Sequence, residues 1–181
     1  MAAEKPVERL SKTVSVVQTP SVEVVVFILL ELYKDDTHIS NKGMLDIFLS
    51  VLCYDIWFYV SHRILHTRLL YPIHSTHHQK VVPTIMDTYE GHWFETPFQG
   101  LGALVPFAFL SCSVTTALAI LVILNVRGMM RHDGRFVWLI GNHHLLHHRF
   151  PQYNYGEYWL DRLGGTLYPN RNEAVPGLIY M

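Results

Sequence analysis

The chain has 181 residues, half of them apolar and only 16% charged, with a net charge of −1 at neutral pH. That charged fraction lies well below the roughly 25% of soluble domains, so a membrane protein is expected rather than a compact soluble one. A charge this close to zero gives no footprint for nucleic acid, and no such partner is expected.

In chain order, residues 1–18 read as a polar N-terminal arm. They carry Glu4, Lys5, Glu8, Arg9 and Lys12 around no apolar core, so no cleavable signal peptide is expected. Thr19-Pro20 reads as a helix start, with Thr as cap and Pro at the first helical position. Val24–Leu32 is strongly apolar but shorter than the roughly 20 residues a bilayer crossing needs; it either crosses with a tilted or thinned fit or lies in the interface. Residues 34–43 read as a polar loop. Met44–Val60 is a better spanning candidate and carries only Asp46 and Asp55. Asp55 lies near the helix face of His62, seven residues on. An acid at that depth is either functional or hydrated at the interface. The two cysteines, Cys53 and Cys112, lie inside apolar runs and read as buried free thiols, not as a disulfide or zinc motif.

The histidines follow. The chain has 12, and all but His38 fall between His62 and His148. His62-x-x-x-His66 is an i, i+4 pair on one helix face. His74-x-x-His77-His78 offers three nitrogens at i, i+3 and i+4. His92 stands alone in Glu90-Gly91-His92-Trp93-Phe94-Glu95. Further on, Asn142-His143-His144-Leu145-Leu146-His147-His148 repeats the triad with His144, His147 and His148, while His143 with His147 makes a rival i, i+4 pair. One cluster of this kind is an ordinary histidine-rich helix. Three with the same spacing point to metal, because neutral imidazole is a general transition-metal ligand.

Between the early and late histidines lies Leu101–Val126, uncharged throughout. As one straight helix it would span about 39 Å and would part the two histidine sets across a membrane. Ligands of one centre must meet, so the stretch is expected to turn back near Ser111-Cys112-Ser113. Its shorter arm would run from Pro97 to Leu110 and its return arm from Val114 to about Met130. Beyond Met44 every Lys and Arg then falls on the histidine side, which the positive-inside rule makes cytosolic. The expectation is an all-α integral membrane bundle of two helical hairpins, with a cytosolic histidine-rich helical cap holding a dimetal centre. Residues 19–166 form its single domain and 167–181 a loop-like tail.

Other metal chemistries fit less well. So many histidines exceed what one zinc ion takes. The Glu-x-x-His pairs of soluble di-iron bundles and the His-Glu-x-x-His of metalloproteases are absent. No Gly-rich nucleotide loop appears, so electrons are expected from a separate protein. The rival readings are a non-catalytic membrane protein with structural zinc, and a metal transporter. Transport needs polar residues inside the spans, and Leu101–Val126 offers only Ser, Thr, Cys and Asn125.

The order of these motifs, with His132-Asp133-Gly134 between the second and last clusters, resembles the fatty acid hydroxylase and sterol desaturase superfamily over about Met44–Thr166. The closing run Tyr153-Asn154-Tyr155-Gly156, with Trp159, Asp161-Arg162 and Gly164-Gly165-Thr166, looks like the C-5 sterol desaturase branch. His92 with Glu95 looks more like the methylsterol oxidase version. The resemblance implies a membrane di-iron oxygenase with O2 as co-substrate, in the endoplasmic reticulum if the source is eukaryotic. It also implies a lipid substrate (sterol or fatty acyl) and electrons from cytochrome b5 or a ferredoxin-like carrier. Hydrogen abstraction from an unactivated C–H bond would be followed by hydroxyl rebound or by a second hydrogen loss. The implied iron ligands are His62, His66, His74, His77, His78, His132, His144, His147 and His148, with His92 a tenth. His143 is then a neighbour, although its spacing leaves a swap with His144 open. Asn154, Tyr155, Trp159 and Asp161 match family positions and either orient the ligands or serve as cap and packing. The chain is expected to have a thinner N-terminal membrane portion than typical relatives and, unlike some fatty acid 2-hydroxylases, no fused cytochrome b5 domain ahead of the core.

Overall fold

The computed structural model describes residues 41–110 and 112–179. The expected arm at 1–18, the helix start at Thr19-Pro20 and the Val24–Leu32 segment, the first arm of the first expected hairpin, lie outside them. All regular structure among the described residues is helical.

Helix α1, Asn41–Leu65, has 25 residues and rises about 37 Å, enough to cross a bilayer. Residues 41–43, read from sequence as the end of a loop, are instead its first turn, where Lys42 pairs with Asp46 at 2.8 Å. Its faces are inverted relative to a water-soluble helix. The buried stripe holds Asp46, Ser50, Asp55, Tyr59 and His62, whereas Met44, Phe48, Ile56 and Val60 are exposed, Phe48 by 64%. Apolar residues turned outward and polar ones inward are what a helix facing lipid requires. Contrary to expectation, Cys53 is also exposed, because α1 turns this part of its apolar surface outward, and Cys112, in the break between two later helices, is only half-buried.

Helix α2 (Tyr71–His74) is a single turn. Helix α3 (Glu95–Phe109) starts two residues before Pro97, whose missing N–H is harmless in a first turn, and it ends three residues past Pro106. Helix α4 (Val114–Arg131) starts where the Ser113 hydroxyl accepts the Thr116 N–H. The chain therefore breaks its long apolar stretch at residues 110–113, close to the expected turn. α1 and α4 are both long and apolar enough to cross a membrane; α3, at 15 residues, is shorter.

The three long helices pack around Ala103, Ile120 and Leu124. Gly102 on α3 lets Trp57 of α1 approach so closely that a Cβ there would sit 2.6 Å from the indole, and the Trp57 indole N–H donates to the Phe98 carbonyl at 2.9 Å. Two buried acids and two half-buried arginines tie α4 to α1 and to Glu157 further along the chain. Arg127 of α4 donates to both oxygens of Asp55 at 3.0 Å and to Glu157 at 3.0 Å, and Arg131 also pairs with Glu157. Asp55 thus serves this ion-pair network, facing neither water nor the histidines.

The remaining elements are short: α5 (Val137–Ile140), α6 (His143–Arg149), α7 (Tyr158–Gly164) and three 3-10 turns. The stretch after residue 166 is irregular, as expected, yet tied down. The Asn142 side chain donates to the Glu173 carbonyl and accepts the Val175 N–H, each at 2.8 Å.

Candidate metal centre

Nine histidines converge into two adjoining groups. The first holds His62, His66, His74, His78 and His147; the second holds His77, His132, His144 and His148. Within each group the candidate ligand atoms all lie within 4.8 Å of one another. The groups touch: the His78 and His148 rings are 4.8 Å apart, and those of His74 and His77 5.3 Å.

Each sequence triad is divided between the groups instead of converging on one point. Residues three and four apart on a helix lie about 60° to one side and 40° to the other of the starting residue. His147 and His148 therefore diverge by about 100° around α6, and His148 stays with His144 while His147 turns to the first group. In the earlier triad α2 ends at His74, and His77 opens a separate 3-10 turn.

The rings are aimed through their far nitrogens. Nδ1–H of His62 donates to the Tyr155 carbonyl at 2.5 Å, that of His147 to the Tyr153 carbonyl at 2.6 Å, and that of His132 to the Gly128 carbonyl at 2.7 Å. His77 and His148 donate likewise to the carbonyls of Glu90 and Lys80. His74 donates to the Glu95 carboxylate at 2.7 Å. A carbonyl only accepts, so the nitrogens that face carbonyls carry the proton, as His74 Nδ1 does opposite the ionised Glu95, and Nε2 is left with its lone pair.

Yet Nε2 faces Nε2. His62 and His74 are 2.9 Å apart, and His77 and His132 3.0 Å, with both Nδ1 protons engaged in each pair. Two lone pairs at that distance do not form a hydrogen bond; they call for a cation between them. Burial disfavours a shared proton as that cation. It pushes the pKa of His66, His74 and His148 down to about 3, helped by neighbouring rings for His66 and His148. His144 and His147 are held well below the ordinary range for the same reason. The buried Nε2 atoms of His66 and His148 have no hydrogen-bond partner.

Spacing carries more. With bonds of about 2.1 Å, right-angled ligands stand about 3.0 Å apart and tetrahedral ones about 3.4 Å. Neighbouring Nε2 atoms stand 2.9–3.1 Å apart, which suits five- or six-coordinate ions better than structural zinc.

His92 joins neither group. Its Nδ1 accepts the Phe94 N–H at 3.2 Å, and its ring lies against Trp93. His143 is also outside, donating to Asp161 at 2.9 Å; the i, i+4 alternative to His144 is not adopted. Asp161 is fully buried and organises the loop that aims two ligands. It accepts the N–H groups of Tyr155 and Gly156, each at 2.8 Å, and the Thr166 hydroxyl at 2.6 Å. Asn154 takes a left-handed backbone, φ 58°, and bridges the His143 carbonyl to the Tyr168 N–H. Trp159 is exposed.

Sequence reading missed Glu95 as the partner of His74. Its buried position pushes its carboxyl up to about 7. The signal was an acid six residues ahead of the uncharged run that begins at Leu101. The carbonyl anchors leave no such signal, since any residue supplies one.

Between α1, α3 and α4 lies a cavity of about 330 Å³, lined by Tyr54, Phe58, Phe107, Leu121 and Leu124 together with His62, His74, His77, His132 and His144. Both histidine groups therefore face one largely apolar chamber. A second, more polar cavity of about 660 Å³ reaches His143 and His144 beside Arg131, Arg162 and Arg171.

The family model described as fatty acid hydroxylase matches residues 47–166. The human lathosterol oxidase is 31% identical over 149 residues, covering 74% of this chain and 50% of that protein. The mouse lathosterol oxidase is 34% identical over 153 residues, covering 76% and 50%. A Delta(7)-sterol 5(6)-desaturase of Schizosaccharomyces pombe is 34% identical over 131 residues, covering 66% and 42%. The chain thus spans about half the length of the curated relatives it matches. No solved structure matches it significantly.

Proposed function

This chain belongs to the fatty acid hydroxylase family, and on that premise we propose that it is a membrane oxidoreductase that hydroxylates or desaturates a lipid with O2, using two iron ions held by nine histidines. One ion takes His62, His66, His74, His78 and His147; the other takes His77, His132, His144 and His148. His92 and His143 stay outside the ligand set. The observation that carries this reading is the facing of committed Nε2 lone pairs, His62 on His74 and His77 on His132.

When bound, the irons supply the reductive activation of O2 that an unactivated C–H bond requires. Each turnover takes one O2, two electrons and two protons. Hydroxylation returns an alcohol and one water; desaturation returns an alkene and two waters. The electrons come from a separate one-electron carrier such as cytochrome b5 or a ferredoxin-like protein. The chain's own part is geometric. Carbonyls and Glu95 fix each ring's tautomer and direction, Asp161 holds the loop that aims His62 and His147, and the apolar walls orient the lipid and exclude water.

The membrane reading is supported by the two apolar helices and the outward apolar face of α1. The arginines gathered beyond the helix ends favour a cytosolic histidine face, and sterol-modifying relatives favour the endoplasmic reticulum in a eukaryotic source.

The test uses the full chain purified in detergent. It is expected to hold about two iron per chain and to consume O2 only with a reductant and a Δ7-sterol or fatty acyl lipid. Tightly bound zinc, with no O2 uptake under any reductant and lipid, overturns the reading.

A further inference from the structure

Asn125 is a polar amide in an otherwise apolar part of α4, and the centre makes no use of it. Its Oδ1 accepts the hydroxyl of Tyr89 at 2.5 Å. Its Nδ2 donates to the Leu121 carbonyl one turn back, at 2.8 Å. Both side chains line the same 330 Å³ cavity whose wall includes five of the histidines. The pair has capacity left over. An amide nitrogen has two hydrogens, and one is engaged; a phenol oxygen that donates its proton still has lone pairs. The cavity is thus offered one N–H and one acceptor oxygen, side by side.

We propose that the Tyr89–Asn125 pair is the subsite that grips a hydroxyl group on the lipid substrate, so that the cavity selects a lipid alcohol. This rests on the reading that the cavity holds the lipid. A hydroxyl is the group that fits, because it both donates and accepts: its proton goes to the Tyr89 oxygen and its oxygen takes the Asn125 N–H. A ketone or an ether takes only the N–H. A carboxylate brings no donor and sets its charge against the Tyr89 lone pairs. A plain hydrocarbon leaves both groups unpaired in an apolar chamber, which is costly. Tyr89 also ties this subsite to the centre, since the next residue, Glu90, supplies the carbonyl that aims His77.

The test measures equilibrium binding to the iron-loaded full chain in lipid nanodiscs, with lathosterol, its 3-methyl ether and its 3-ketone as probes. Wild type should bind the alcohol about tenfold more tightly than either analogue, the usual scale for one buried donor left unpaired. Tyr89→Phe should weaken alcohol binding by about tenfold and leave the ether unchanged, Asn125→Leu should weaken alcohol and ether alike by about tenfold, and both should leave the iron content unchanged. The analogue comparison on wild type needs no variant, and Tyr89→Phe removes a single atom, so misfolding does not shield the idea. Equal binding of alcohol and ether by wild type, or unchanged alcohol binding by both variants, overturns it. If iron-loaded wild type binds all three probes alike, only this subsite fails. If it holds no iron and binds no lipid, the oxidoreductase reading fails with it.

Discussion

The two histidine groups share one donor type but differ in scaffold. In the five-ring group, His62 and His147 are aimed by consecutive parts of one loop, the carbonyls of Tyr155 and Tyr153, and His74 by a carboxylate. In the four-ring group, His132 is held by the last turn of its own helix, and His77 and His148 by the carbonyls of Glu90 and Lys80. The lesson is that similar ligand sets are separately breakable, because different segments hold them in place.

The sharpest break is His147→Ala against His144→Ala. Each should reduce turnover to background, and each should lower iron from about two towards about one per chain, the first by emptying the five-ring group and the second by emptying the other. Metal analysis with iron spectroscopy checks this; unchanged iron in both variants would erase the distinction between the groups.

Acid is the next largest perturbation, read on metal-free protein by thermal melts. His66, His74 and His148 have pKa values held down to about 3 by burial, against about 6.5 when unfolded. The unfolded chain therefore binds more protons below pH 6.5, so stability is complete above that pH and is lost as pH falls towards 3. By pH 5 the loss is on the order of 2 kcal/mol for each such ring.

Asp161→Ala sharpens the scaffold argument. It strips acceptors from two buried N–H groups and a hydroxyl, a cost of about 3 kcal/mol. The expected result is a lower melting temperature, with iron lost first from the five-ring group. Glu95→Gln is milder: it keeps the acceptor but removes the charge behind His74. Affinity at the five-ring group should fall about tenfold with the other group unchanged, by metal competition. Smallest is His92→Ala, which should leave iron at about two per chain and shift stability by less than about 0.5 kcal/mol.

Eight of the nine histidines that converge could be read from residue type and spacing, and His132 from the family resemblance, because side-chain chemistry is what a sequence prints. The break at residues 110–113 was readable for a related reason: ligands on both sides of an apolar run have to meet. What failed depended on three dimensions. The triads were assigned one point each, although i+3 and i+4 already diverge around a helix. Asp55 was placed near the histidines, whereas Arg127 and Arg131 on a distant helix claim it. His92 was drawn in by motif alone, and its short loop turns the ring towards its own backbone. The carbonyl anchors had no residue-type signal at all.

One consequence follows from the way early and late histidines interleave. A chain cut before residue 143 would keep four rings of the first group but only His77 and His132 of the second. No fragment that ends before His147 closes either cage. On the proposed reading, synthesis must therefore run to His147 and His148 before iron has anywhere complete to settle, and loading becomes a late event that can serve the cell as a checkpoint on folding of this core.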